Sequence, residues 1–267
     1  MIAECQTSRR SLSRTAFVLY GLLGYAFLYL PVLLLMFFSF NASRAGGLPF
    51  TGFTLKWYRD LFSDYLVLDA LKNSLFVASV TSVLATCIGT AAAFPLVRSS
   101  IRFKSILRIL FTLPIMIPGL LIGLSLLICF ASILHLTLSL ATVIVGHLVF
   151  TTSYVILVVS ATLLDFNRSL EWAAADLGAN AWQTFRHITL PIIFPGILAG
   201  ALFAFTLSLD EFVITLFTIG NQNTLPMYIF TQVKFGVTPK VNALATLLML
   251  GSTLLLTAIF SAITRRR

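Results

Sequence analysis

The chain has 267 residues, 58% of them hydrophobic and only 10% charged, with 18 Lys and Arg against 9 Asp and Glu. A water-soluble domain carries roughly 25% charged residues, so a water-exposed globule is excluded, and the mean hydropathy of +0.98 agrees. The formal net charge of +9 is distributed in short basic clusters between apolar runs. That is the pattern of membrane topology and not of a nucleic-acid-binding face, so no nucleic-acid partner is expected.

Residues 1–15 form a basic N-terminus carrying Arg9, Arg10 and Arg14. Ser8-Arg9-Arg10-Ser11-Leu12 superficially matches a twin-arginine export signal, but the apolar run that follows is about twice the length of a signal peptide's hydrophobic region. It is read instead as a first membrane span at about 16–40, because no charge lies between Arg14 and Arg44. A crossing needs roughly 20 apolar residues at about 1.5 Å of rise each. The 41–70 segment mixes Gly46-Gly47, Pro49, Trp57 and Tyr58 with charges. It reads as an extracytoplasmic loop with an interfacial helix near Leu55–Phe62, its aromatics anchoring the protein at the interface or touching a substrate-delivering partner.

Further spans are expected at about 73–97, 109–131, 138–163, 192–219 and 241–264, with a turn at Ser132–Thr137 beside His135. Pro114, Pro118 and Gly119 mark a kink or hinge in the third. Six crossings put both termini on one side. The basic residues Arg98, Arg102, Lys104, Arg108, Arg168, Arg186 and the terminal 265–267 triplet assign that side to the cytoplasm. The fold class is all-α: a polytopic membrane protein whose single transmembrane permease domain, 16–264, has six transmembrane helices and a cytoplasmic loop of two short helices at 165–191. Cys5, Cys87 and Cys129 are too few and too scattered for a disulfide framework or a metal site, and the latter two read as small buried thiols.

The loop 165–191 is longer than its neighbours and internally patterned. Asn167 or Ser169 caps a first short helix, Glu171 lies in its first turn, and Ala173-Ala174-Ala175 favours helix and close approach. Gly178 suits the left-handed residue that ends it, and Asn180 with Gln183 forms a capping-box variant opening a second helix that runs to Pro191. By pattern alone this is either a compact knob or an amphipathic element lying on lipid.

The stretch Ala173-Ala174-x3-Gly178-x9-Ile188-x-Leu190-Pro191 resembles the EAA loop of bacterial ABC-importer permeases. Trp172 stands where that motif carries glutamate, with Glu171 one position earlier. The resemblance extends along the chain to the spermidine/putrescine-type branch. It runs through Pro118, Gly123-Leu124-Ser125-Leu126-Leu127, Ser208-Leu209-Asp210-Glu211-Phe212, Thr224-Leu225-Pro226, Phe235-Gly236-Val237-Thr238-Pro239 and Val241-Asn242-Ala243-Leu244-Ala245-Thr246.

The resemblance implies a subunit of the bacterial inner membrane. Its loop would dock on an ATPase dimer through Glu171, Trp172, Ala173, Ala174, Asp176, Gly178, Leu190 and Pro191. It also implies a second, homologous permease subunit, an extracytoplasmic solute-binding protein, and ATP and Mg bound by the partner ATPase, with no cofactor held by this chain. The chain carries no phosphate-binding loop of its own, so it is not expected to be an enzyme.

Ionisable residues inside an apolar span mark a pathway by default, and Asp210-Glu211 is the acidic pair inside one. Asp210 lies 19 residues beyond Pro191, roughly 28 Å along a helix. A substrate path is expected at Asp210, Glu211 and Ser208, with Thr206 and Ile214 on the face of Asp210 and Phe203 or Phe217 offering cation–π contact. The alternative is that the acids cap a broken helix or pair with a neighbouring subunit.

His147 either lines a path or bridges helices. Gly119 and Lys240 depart from the acidic residues usual in polyamine permeases, which opens the choice between a polyamine and an amino-acid-like solute. The rival class is an ATP-independent secondary transporter, which intramembrane acids and broken helices would also suit.

Overall fold

The computed structural model describes residues 2–44, 46–100 and 102–264, with side chains described within 17–254 and at Thr257 and Ser261. The basic termini expected at 1–15 and 265–267 and the thiol of Cys5 therefore lie outside the described side chains. Among the described residues there is no β-strand, only an isolated bridge between Asn41 and Phe53.

The helices in chain order are α1 (Ile2–Phe38), α2 (Lys56–Ser63), α3 (Tyr65–Arg98), α4 (Lys104–Met116), α5 (Gly119–Leu127), α6 (Leu140–Asp165), α7 (Ser169–Asp176), α8 (Ala181–Thr184), α9 (Leu190–Asp210), α10 (Val213–Thr218), α11 (Leu225–Lys234) and α12 (Pro239–Thr264). π-helical turns at Ile128–Ile133 and Phe185–Thr189 extend α5 and join α8 to α9.

Four helical stretches are long and apolar enough to cross a bilayer: Phe17–Phe38, Tyr65–Arg98, Leu140–Asp165 and Ala181–Asp210. The α4–α5 pair makes a fifth if it counts as one broken span, since it bends by 96° at Ile117–Pro118. The third expected span is thus not a straight helix: Pro118 disfavours helical backbone at Ile117, which is extended. The fifth is also corrected. It does not run to 219 but ends at Asp210, breaks at Glu211-Phe212 and restarts as α10. The chain turns at 134–139, two residues later than the expected 132–137 because the π-helical turn runs through Ile133, with His135 in the left-handed region (φ 50°).

The chain divides into two compact units, Met1–Tyr65 with Ile229–Arg267, and Leu66–Tyr228. In the first, α12 packs on α1 and α2. The buried side chain of Asn41 organises the loop after α1: Nδ2 donates to the carbonyls of Gly47 (2.8 Å) and Pro49 (3.1 Å), and Oδ1 accepts from the amides of Ser43 and Thr51 (both 3.1 Å). Trp57 Nε1 donates to the Asn41 carbonyl at 2.7 Å, and the Tyr58 hydroxyl is hydrogen-bonded to Ser39 at 2.6 Å. The helix expected near Leu55–Phe62 forms as α2, and these two aromatics fasten it to the loop. Lys240 forms an ion pair with Asp64, so its charge is answered within the chain.

In the second unit, Ala85 and Ala93 of α3, Val155, Val159 and Leu163 of α6 and Ile193 and Ala204 of α9 form one buried cluster. Small residues allow the close approach: a Cβ at Gly89 would lie 2.7 Å from Val155 Cγ1, and one at Gly196 would lie 2.1 Å from Thr162 Oγ1. Ser82 Oγ adds a 2.7 Å bond from α3 to the Ala201 carbonyl on α9. Cys129 is partly buried, but Cys87 is exposed, unlike the buried thiol expected there.

Candidate functional site

Two places gather the residues singled out in the sequence. The first is the loop after α6. Asn167 Oδ1 accepts the Ser169 amide at 3.0 Å and so turns the chain into α7, a role open between Asn167 and Ser169 in the sequence. Glu171 lies in the first turn. At the far end the Ala179 amide donates to the Ala174 carbonyl (3.0 Å) and the Gly178 amide to the Ala175 carbonyl (2.9 Å). This paired closure needs a left-handed residue, and Gly178 supplies it with φ +86°.

Asn180 and Gln183 then exchange side-chain-to-amide bonds of 2.9 Å each, the expected capping box. The second helix does not stop at Pro191. It passes through the π-helical turn into α9, so α8 and the span form one continuous element over Ala181–Asp210.

Of the loop residues, Ala174 is buried, Glu171 and Leu190 are half-buried, and Trp172, Ala173, Asp176, Gly178 and Pro191 are exposed. The outward edge is apolar: Leu177 is 89% exposed, Trp172 67% and Trp182 64%. Trp182 stacks on Phe185, which meets Phe94 of α3 edge-on.

Glu171 is more committed than the sequence indicated. Its Oε1 accepts Arg98 Nη1 at 2.6 Å and also the Thr189 hydroxyl. The Arg98 guanidinium lies 5.3 Å from the Phe94 ring centroid and 5.1 Å from that of Phe166. Nothing in the sequence marks Arg98 and Thr189 as members of this site. They lie 73 and 18 residues from Glu171, and no local pattern links them.

The second place is the break between α9 and α10. Phe203, Thr206 and Asp210 share one exposed face of α9. Ser208 is on the buried face. Asp210 makes no ion pair among the described residues. Glu211 turns back instead: its Oε1 accepts the Ile214 amide at 2.9 Å, capping α10. That is the broken-helix alternative for this acid. Ile214 is buried on the new helix and does not share the face of Asp210, because the helix on which that expectation rested is interrupted. Phe217 likewise packs inward, against Gly123, where a Cβ would lie 2.7 Å from its Cδ2. Phe203 meets Tyr154 edge-on at 5.3 Å.

His147 bridges the break. Its Nδ1 is hydrogen-bonded to Ser208 Oγ on α9 at 2.8 Å and its Nε2 to Thr215 Oγ1 on α10 at 2.9 Å. Of the two roles open to it in the sequence, this is the bridge between helices. Among the described residues no cluster of potential ligands could hold a metal ion.

Several bilayer-length helices, a broken span and an ordered loop among the described residues are the architecture of a multi-pass membrane protein. A family model described as the inner membrane component of binding-protein-dependent transport systems matches residues 85–267. The putrescine transport system permease protein PotI of Escherichia coli (strain K12) is 40% identical over 235 residues, covering 85% of this chain and 83% of the relative. The spermidine/putrescine transport system permease protein PotC of the same strain is 36% identical over 235 residues, 88% of each chain.

In structure, the chain resembles a bacterial ABC transporter involved in the import of the acidic polysaccharide alginate. The TM-score is 0.71 at 16% identity, over 95% of this chain and 97% of that one, a likeness of fold. The chain belongs to the family of inner membrane components of binding-protein-dependent transport systems.

Proposed function

We propose that this chain is one of two permease subunits of an ATP-driven importer and translocates a polyamine, putrescine being the first candidate, by alternating access. The observation that carries the coupling part is the ordered loop 167–191, whose Gly178 closure and Asn180 capping box present Leu177, Trp172 and Trp182 outward. An apolar edge on a short helical hairpin suits a groove on another protein. In this reading the partner ATPase dimer binds ATP and Mg, and its closure moves the loop. The exposed face of Phe203, Thr206 and Asp210 lines a path shared with a second, homologous permease, and a solute-binding protein delivers the substrate from outside.

Six spans are assigned: α1, α3, the bent α4–α5 pair, α6, α9 and α12. Both termini face the cytoplasm, as the basic clusters favour.

The names of the 40% and 36% identical relatives support a polyamine. Two local observations remove part of the case against it. Lys240 is neutralised by Asp64. A Cβ at Gly119 would lie 4.0 Å from Glu211 Oε1, so a carboxylate is present beside the position where the polyamine branch usually carries one. A cationic amine would meet Asp210 on the same exposed face as the ring of Phe203. An amino-acid-like solute is the second reading, favoured by the absence of an acid at 119 itself.

The test is reconstitution in proteoliposomes with the partner ATPase and permease. Labelled putrescine uptake that requires ATP and the binding protein is expected. Uptake by this chain alone without ATP would replace the proposal with a secondary transporter.

A further inference from the structure

The carboxylate of Glu171 joins three chain segments that are far apart in sequence. Arg98 is in the last turn of α3, Glu171 in the first turn of α7, and Thr189 is the last residue of the π-helical turn that opens α9. Both donors converge on one oxygen, Oε1. Thr189 is 1% exposed, and the Arg98 and Glu171 side chains are 20% and 17% exposed, so the pair is largely withdrawn from solvent. Arg98 Nη2 is buried with no partner. Among the described residues the guanidinium has Glu171 as its ion-pair partner, with Phe94 and Phe166 at its faces.

The helix that carries Glu171 has little else to orient it. α7 is eight residues long and Ala174 is its one buried residue. Helices shorter than about 12–15 residues are marginal without tertiary contacts. α3, in contrast, is 34 residues, roughly 50 Å at about 1.5 Å per residue. It exceeds a hydrocarbon core of about 30 Å and brings Arg98 to the loop.

We infer that Arg98, Glu171 and Thr189 form a clasp that makes the loop a rigid extension of α3 and α9, so that force applied to the loop is delivered to both spans. The three are positioning residues. They act through one another and need not touch the ATPase or the solute. A charge-assisted bond withdrawn from water resists separation, and breaking one side leaves a buried charge uncompensated. When the loop is pushed, moving the helices is therefore easier than opening the clasp. Without it, the hairpin swivels on Gly178 and the push is dissipated.

The inference rests on the reading of 165–191 as the ATPase-coupling loop, and the experiment separates the two. The complete transporter, in proteoliposomes, is assayed for labelled putrescine imported per ATP hydrolysed, normalised to assembled complex. The proteins compared are wild type, Arg98→Gln, Glu171→Gln, the double variant and Thr189→Val. Each charge-removing single variant is expected to lower the ratio about tenfold while ATP hydrolysis continues. Thr189→Val is expected to lower it less, and the double variant no further than either single. An unchanged ratio in the single variants overturns the clasp. So do losses that multiply in the double variant, or losses confined to the amount of assembled complex. A wild-type complex that imports nothing under ATP overturns the coupling reading instead.

Discussion

Two acidic residues at helix ends, Glu171 and Asp210, have opposite circumstances. Glu171 is held by Arg98 and Thr189 from its own chain and is half-buried. Asp210 closes α9 on an exposed face and has no ion pair among the described residues. A carboxylate in a membrane span without a cation beside it is costly, so the proposed function gives Asp210 a counter-charge from outside the chain. In the proposed reading Glu171 serves the internal mechanics of the permease, and Asp210 meets a cationic solute or a neighbouring subunit. The neighbours of each acid make the same distinction. Glu171 meets the Arg98 guanidinium, itself flanked by Phe94 and Phe166; Asp210 shares an open helical face with Thr206 and Phe203.

If the loop is the coupling element, its strongest local requirement is the left-handed residue at 178. Gly178→Val puts a β-branched side chain at φ +86° with open space around it, so the penalty is backbone strain of about 1–2 kcal/mol. Capture of the ATPase in a pull-down is expected to fall about tenfold, and import with it. Full capture would separate the shape of the loop from docking.

The second test bears on the break. His147→Phe removes both hydrogen bonds across it and is expected to lower stability by about 1–2 kcal/mol, read as a lower melting temperature of the purified complex. Import should decline with ATPase capture retained. If capture is lost as well, the two regions are not mechanically separate.

The smallest effect is expected at Trp172, where the EAA pattern carries glutamate. Trp172→Glu alters an exposed side chain outside the Arg98–Glu171 pair. It takes one of the three apolar side chains out of the docking edge and should lower ATPase capture about threefold, since most interface side chains cost less than about 1 kcal/mol when replaced. A large gain or loss would show that position 172, and not the Glu171 clasp, dominates the loop.

The legibility of these regions in the sequence follows how local their causes are. The Gly178 closure and the Asn180–Gln183 box are built from residues within five positions of each other, and both were readable directly. Pro118 announced a break in the third span, though not its 96° size, which tertiary packing sets.

The break at Glu211-Phe212 carries no Gly or Pro and interrupts an apolar run, so hydropathy presented one helix from 192 to 219. Its cause is distant: His147 reaches Ser208 and Thr215 from 61 and 68 residues away, and Glu211 caps the new helix. That geometry removes Ile214 and Phe217 from the face of Asp210. The Arg98–Glu171 pair was invisible for the same reason. Each charge was legible as a topological or capping signal, but their meeting depends on how α3, α6 and α9 pack.

The claim that Asp210 awaits a charge from outside the chain is tested most directly by Asp210→Asn in the reconstituted transporter. ATP-driven putrescine uptake and ATPase capture are measured on the same preparation. The account predicts that uptake is abolished while the ATPase is captured at the wild-type level. Unchanged uptake would contradict it.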